Sequence, residues 1–84
     1  MIYRILLSSK ANDFLKKLDK PNKERIEKKL RDLKNNPELG KPLTFNLAGL
    51  WSLRVGDYRV LYRVDNNQLL ILVIKIGHRK NVYG

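Results

Sequence analysis

Apolar side chains recur along the first half of the chain with the spacing of amphipathic helices. A run rich in β-forming residues at 2–7 comes first and predicts a strand. Two apolar stripes follow, one in helical register before Pro21 and one after it: Ala11, Phe14, Leu15 and Leu18, then Ile26, Leu30 and Leu33. Ser8 or Ser9 can cap the first helix, and Pro21 suits the first turn of the second. The pattern predicts a strand followed by a tight helical hairpin.

The second half of the chain changes to the period of two that is typical of strands. Residues 38–49 are punctuated by glycine and proline and predict a loop. Three strands then follow, at residues 50–55, 58–64 and 69–76. The last is almost wholly apolar, as expected for a central strand. The order β-α-α-β-β-β predicts one α+β domain over residues 1–84, with a mostly antiparallel four-stranded sheet and a helical hairpin packed on one face.

The Gly56-Asp57 turn sets the register of the hairpin that surrounds it. Glycine in the first position of a two-residue loop favours a type II′ turn, and counting outward assigns each side chain to a face. One face is entirely apolar or aromatic and is predicted to lie under the helices: Trp51, Leu53, Val55, Tyr58, Val60 and Tyr62. The other face carries Ser52, Arg54, Arg59, Leu61 and Arg63.

On the polar face, Arg54 and Arg59 are predicted to be direct cross-strand neighbours. Like charges in this position destabilise a sheet by roughly several tenths of a kcal/mol or more. A phosphate held between the two guanidinium groups would remove that cost, because arginine offers planar, bidentate donors. The alternative is that both side chains extend into water or pair with Asp57 or Asp65.

The residues after the last strand add proton-transfer chemistry. His78 is the chain's one histidine and can exchange a proton near neutral pH. Tyr83 could stack on a base, donate a proton or pack its ring. With the arginines, these groups suit RNA cleavage in which the 2′-hydroxyl attacks the adjacent phosphate. The sequence has no tight cluster of carboxylates for Mg²⁺, so a reaction without metal or cofactor is predicted.

Composition narrows the choice of partners. Lys and Arg total 18 against 8 Asp and Glu, a formal net charge of +10 on 84 residues. Such an excess predicts binding to a polyanion, either nucleic acid or an acidic protein. The absence of cysteine excludes disulfides, thiol nucleophiles and Cys-ligated metals. No apolar run approaches the roughly 20 residues of a membrane helix, and residues 1–7 are too short for a signal peptide's apolar core. A cytoplasmic protein is therefore expected.

Several strings in the sequence are similar to those of a known family. The segments LWSLRVGDYRVLYRV and IGHRKNVY, the early FLKKL helix and the L-x-x-L-x-x-N-P ending of the second helix resemble the RelE branch of the RelE/ParE toxin superfamily. The resemblance covers essentially the whole chain. It implies a toxin of a type II toxin–antitoxin pair that enters the ribosomal A site and cleaves messenger RNA, leaving a 2′,3′-cyclic phosphate and a 5′-hydroxyl. It also implies a cognate RelB-like antitoxin that covers the basic surface.

The resemblance assigns roles by position. Arg59 matches the family's phosphate-binding arginine, Arg79 a second arginine that stabilises the transition state, and Tyr83 the terminal catalytic tyrosine. Arg54 lies where the founding type has a catalytic lysine, which implies a catalytic role for Arg54. Ser52 lies where that type has another lysine, so the sequence departs from it there.

Arginine is a poor general base, which leaves the proton acceptor open. The resemblance implies His78 for this role, because some branches of the family use a histidine near this point. Ser52, Arg63 and Lys80 are predicted to contact RNA.

Two alternatives remain open in the sequence. ParE-type members of the superfamily act on DNA gyrase and would be expected to lack the combination of Arg59, Arg79 and Tyr83. The second is a binding-only relative, which would bind RNA or ribosomes with a steep salt dependence and give no product. Ser52 keeps this alternative open, because the founding type has a lysine at that position.

Overall fold

A computed structural model describes residues 2–80, in which two helices pack on a five-stranded sheet. The elements are β1 (Arg4–Leu7), α1 (Ser9–Lys16), α2 (Lys20–Asn35), β2 (Lys41–Pro42), β3 (Trp51–Val55), β4 (Tyr58–Asp65) and β5 (Leu70–His78). The strands lie in the order β1-β5-β4-β3-β2, and only the β1–β5 pair is parallel. The predicted α+β fold is confirmed. The short β2 lies in the stretch predicted as a loop and adds a fifth strand at the edge.

Both helices begin at a side-chain cap, of which that of α1 was predicted from the sequence and that of α2 was not. Ser8 caps α1, because its Oγ accepts from the Ala11 N–H at 3.1 Å. Asp19 caps α2 in the same way, and hydrogen bonds from Asn22 hold the pKa of Asp19 below its usual range. None of the helices within residues 2–80 is long and apolar enough to span a membrane.

The core lies between the helices and one face of the sheet, and both predicted stripes contribute to it. The buried helical residues are Ala11, Leu15, Ile26, Leu30 and Leu33, with Phe14 and Leu18 partly buried beside them. The sheet supplies Leu53, Val55, Val60, Tyr62, Ile71, Val73 and Ile76. Burial of such side chains stabilises a fold by about 1.5–3 kcal/mol each. The core therefore occupies one side of the sheet. On the other side Ser52 and Leu61 are also buried, whereas Arg54 and Arg63 are exposed.

A β-bulge interrupts the pairing of β4 with β5. Leu61 pairs with Lys75 but the next residue, Tyr62, pairs with Val73, so Ile74 has no partner on β4. The Ser8 hydroxyl donates to the Ile74 carbonyl oxygen at 2.6 Å. The start of α1 is thereby joined to the sheet at the bulge.

The hydroxyl of Tyr62 anchors the segment that leads into β2. It donates to the Pro37 carbonyl oxygen at 2.8 Å and accepts from the Gly40 N–H at 3.0 Å. Burial raises the pKa of Tyr62, which keeps the phenol protonated and able to donate. At Gly40 a Cβ would lie 2.7 Å from the Ser52 carbonyl oxygen and 2.8 Å from the Tyr62 hydroxyl. A glycine is therefore needed here for the chain to close onto β3 and place Lys41 opposite Ser52.

We expect Tyr62→Phe to lower the free energy of unfolding by about 1–3 kcal/mol, because it leaves a carbonyl and an N–H without their partner. Urea unfolding monitored by circular dichroism measures the loss. Tyr3→Phe is the matched control: the Tyr3 hydroxyl donates to Asn66 Oδ1 in an exposed hydrogen bond, so its removal should change stability by less than about 0.5 kcal/mol. Equal losses in the two variants would show that the Tyr62 hydroxyl is no anchor.

Candidate functional site

The β3–β4 hairpin has the predicted register. Arg54 pairs with Arg59 and Trp51 pairs with Tyr62. Gly56 has φ +60° whereas Asp57 has no positive φ, as a type II′ turn requires. The predicted core face is confirmed, with Trp51 and Tyr58 partly buried at its two ends. The opposite surface of the sheet, which carries Arg54, Arg59 and Arg63, is called the open face below.

The two facing arginines have no acidic partner. Within residues 2–80, Arg59 makes no ion pair, and Arg54 makes only a long 3.4 Å hydrogen bond from Nε to the Gly56 carbonyl oxygen. The Asp65 carboxylate instead accepts from two backbone N–H groups of its own turn, at 3.0 and 3.1 Å. The side chain of Asp57 makes no ion pair in the described part of the chain either. Within the described residues, no acidic group therefore offsets the repulsion between Arg54 and Arg59.

The backbone brings Arg79 to the same end of the sheet. Its N–H donates to the Asp57 carbonyl oxygen at 2.9 Å, which fixes it beside the turn that joins β3 to β4. The side chains of Arg79 and Lys80 are exposed. On the neighbouring strand β5, Gly77 pairs with Arg59. Three of the predicted site arginines are thus brought to one region.

A groove of about 460 Å³ lies along this region. It is lined by Leu39, Gly40, Lys41, Leu43, Ser52, Leu53, Arg54 and Arg59. Ser52 is only 4% exposed, so it offers little surface to a ligand. Lys41 was not among the residues that the sequence indicated, because its stretch was predicted to be a loop.

Arg63 continues the open face toward the other end of β4. It is exposed and lies four residues from Arg59 on the same face, a separation of about 14 Å in a strand. Beside it is a second, shallower concavity of about 670 Å³, lined by Gly49, Arg63, Val64, Asp65, Asn66, Asn67, Leu70 and Leu72. Arg59 and Arg63 therefore place positive charge at two positions along β4.

The structure does not bring His78 to the arginines. His78 pairs with Tyr58, whose ring lies on the helical face, and the two rings meet edge to face with centroids 5.9 Å apart. A concavity between α1 and β5 is lined by His78 together with residues of both elements, including Phe14. Uninterrupted pairing from Asp65–Leu70 would have put His78 on the open face, but the bulge at Ile74 reverses the faces beyond it.

A catalytic Tyr83 and a reaction without metal were also predicted from the sequence. Tyr83 lies outside the residues that the structure describes. In residues 2–80, no three His, Cys, Asp or Glu side chains come together as a metal site would require.

We expect Arg54→Gln to raise the free energy of unfolding by about 0.3–1 kcal/mol in low salt, because it removes the cross-strand repulsion. The gain should shrink as salt screens the charges. Arg63→Gln is the matched control, since Arg63 faces Leu72 and no cation on β5; its effect should stay below about 0.5 kcal/mol. Urea titrations of wild type and both variants at two salt concentrations measure these changes in the free energy of unfolding. A loss of stability in Arg54→Gln would contradict uncompensated repulsion.

Comparisons with known proteins identify the family. The family model described as the ParE toxin of the type II toxin–antitoxin system, parDE, matches residues 5–83. The chain is 39% identical to Toxin RelG of Mycobacterium tuberculosis over 59 residues, 69% of this chain and 68% of that protein. It is 48% identical to Toxin RelE of the same organism over 52 residues, 61% of this chain and 54% of that protein.

A solved structure supports the same assignment. One chain of the toxin–antitoxin complex RelBE2 from Mycobacterium tuberculosis superposes with a TM-score of 0.86 at 32% identity, covering 94% of this chain and 100% of that one. The resemblance found in the sequence is therefore confirmed across the fold. The chain belongs to the RelE family of toxins, within the RelE/ParE superfamily of type II toxin–antitoxin systems.

Proposed function

We propose that this toxin is a ribosome-dependent messenger-RNA endoribonuclease. It would act in the ribosomal A site, without metal, by attack of a 2′-hydroxyl on the adjacent phosphate, leaving 2′,3′-cyclic phosphate and 5′-hydroxyl ends. The observation that carries the proposal is the uncompensated Arg54–Arg59 pair on the open face. Two similar proteins bear the names Toxin RelG and Toxin RelE, which supports the class of toxin.

The facing arginines suit a phosphate whose charge increases during the reaction. As the 2′-oxygen attacks, negative charge accumulates on the non-bridging oxygens of the phosphorane. Guanidinium groups carried on paired strands have their backbone positions fixed before the substrate binds, so they would stabilise the transition state more than the ground state. Arg79, tied to the hairpin turn, would supply a further donor.

The rest of the open face suits the RNA strand on either side of the cut. Arg63 at one end and Lys80 at the other are both exposed and would contact neighbouring phosphates. Such contacts release counterions, so RNA binding should weaken steeply with salt. Ser52 is buried beneath the groove and would act by spacing rather than by contact. Tyr83 remains a proposed catalytic residue for proton transfer.

The partners follow from the same surface. The RelBE2 structure is a toxin–antitoxin complex, and we propose a cognate RelB-like antitoxin for this chain. An acidic segment over the open face would offset the Arg54–Arg59 repulsion and block the groove. The ribosome would be the second macromolecular partner, and messenger RNA in its A site the substrate.

Arg79→Ala is expected to lower cleavage by about 10²-fold or more, because it removes one preorganised donor to the phosphorane. The substrate is a defined message bound to purified ribosomes, in the absence of antitoxin. Primer extension maps the new 5′ ends within the A-site codon. Polynucleotide kinase should label the downstream fragments, since they carry a 5′-hydroxyl. Lys28→Ala is the matched control: it removes one exposed positive charge from α2 and should cleave within about threefold of wild type.

Other results would point elsewhere. Wild-type cleavage by Arg79→Ala would refute the role of that arginine. Intact message with retained, salt-dependent binding to ribosomes would favour a binding-only relative. The ParE description of the matched family model is the observation that favours a gyrase-directed toxin. In that case the wild-type protein would leave message intact and inhibit DNA supercoiling by gyrase.

His78→Gln is expected to change cleavage by less than about threefold, because its ring lies on the helical face with Tyr58 rather than beside the arginines. The measurement is single-turnover cleavage of the same ribosome complex at saturating toxin. A loss of about 10²-fold with unchanged binding would instead establish His78 as the proton acceptor that the sequence predicted.

A further inference from the structure

Lys41, which the sequence predicted to lie in a loop, lines the same groove as Arg54 and Arg59. Lys41 pairs with Ser52 across β2 and β3, so its side chain belongs to the open face. Ser52 and Arg54 are alternate residues of β3, which puts Lys41 one strand over and two residues along from Arg54, with about 8 Å between their Cα atoms. Lys41, Arg54 and Arg59 line one groove. A phosphate bound by the arginines is within reach of the lysine.

The position of Lys41 is fixed by backbone contacts rather than by its own side chain. Gly40 is held by the Tyr62 hydroxyl and lies directly against the Ser52 carbonyl. Pro42 has no N–H to donate, which suits an edge strand. The Lys41 side chain is exposed and makes no hydrogen bond or ion pair within residues 2–80. The fold therefore sets the backbone position of Lys41, and no described residue engages its ammonium group.

Lys41 differs chemically from the other charged groups of the groove. Arginine does not give up its proton in proteins, and the hydroxyl of Ser52 is buried. Lysine can donate a proton and regain it. Transesterification needs such a donor, because the departing 5′-oxygen is strongly basic until it is protonated. Of the polar side chains that line this groove in the described part of the chain, only that of Lys41 meets the need.

We propose that Lys41 is the general acid of the cleavage reaction, an inference that rests on the proposed function. The 2′-oxygen forms a bond to phosphorus while the bond from phosphorus to the 5′-oxygen breaks. The 2′-hydroxyl proton leaves to solvent water, and a proton on Lys41 Nζ passes to the 5′-oxygen. The resulting amine regains a proton from water. Arg54 and Arg59 stabilise the phosphorane between these two transfers.

The test compares two substrates that differ in one bridging atom. Messages are prepared with either the natural 5′-oxygen or a 5′-sulfur at the scissile position of the A-site codon. A thiolate is a far weaker base than an alkoxide, with a thiol pKa of about 8.5, so it departs without a proton donor. Wild type, Lys41→Ala, Lys41→Arg and the control Lys28→Ala are compared on both messages. Circular dichroism and thermal melting check that each variant is folded.

On the natural message, Lys41→Ala and Lys41→Arg are both expected to lose about 10²- to 10³-fold in rate, because arginine restores the charge but not the proton. On the sulfur message both should cleave within about threefold of wild type, while Lys28→Ala matches wild type on both. Full activity of either Lys41 variant on the natural message would overturn the proposal. So would equal losses on both messages, which would make Lys41 a binding residue. If wild type cuts neither message, the proposed function itself fails.

Discussion

The register of the β3–β4 hairpin is the constraint on which the rest of this structure depends. Because side chains alternate between faces, a slip of one residue would turn Arg54 and Arg59 into the core and expose the apolar set. The Gly56 turn and the hydrogen bond from Arg79 to Asp57 both hold the register at the same end of the hairpin. One local geometry therefore determines both where the core lies and where the cations meet.

Stability and chemistry are divided between the two faces of the sheet. The helical face provides a continuous apolar core, whereas the open face pairs two like charges that have no counter-charge among residues 2–80. The open face thus lowers the stability that the core supplies. Such a conflict between local preference and the fold is expected at a functional site, where charge must be ready before the substrate arrives.

The parts of the site that the sequence predicted are those set by local rules. The turn and the period of two gave the Arg54–Arg59 pairing without knowledge of the remaining strands. The face of His78 could not be obtained in this way, because it depends on a bulge at Ile74 that accompanies a contact with the distant Ser8. The position of Lys41 on the open face could not be predicted for a similar reason. The strand β2 has two residues, too few to show a period of two. It is held in place through the hydrogen bond from the Gly40 N–H to the hydroxyl of Tyr62, which is 22 residues away in the sequence.

Uncompensated charge also couples folding to binding. Any anion that binds the native open face and not the unfolded chain shifts the folding equilibrium toward the native state. Such an anion also removes the Arg54–Arg59 repulsion. Part of the free energy of binding therefore comes from the loss of a repulsion that destabilises the unbound protein. RNA and an acidic antitoxin segment would both exploit this relief and would compete for it. The same two arginines that suit the groove to a phosphate would therefore also attract an acidic inhibitor.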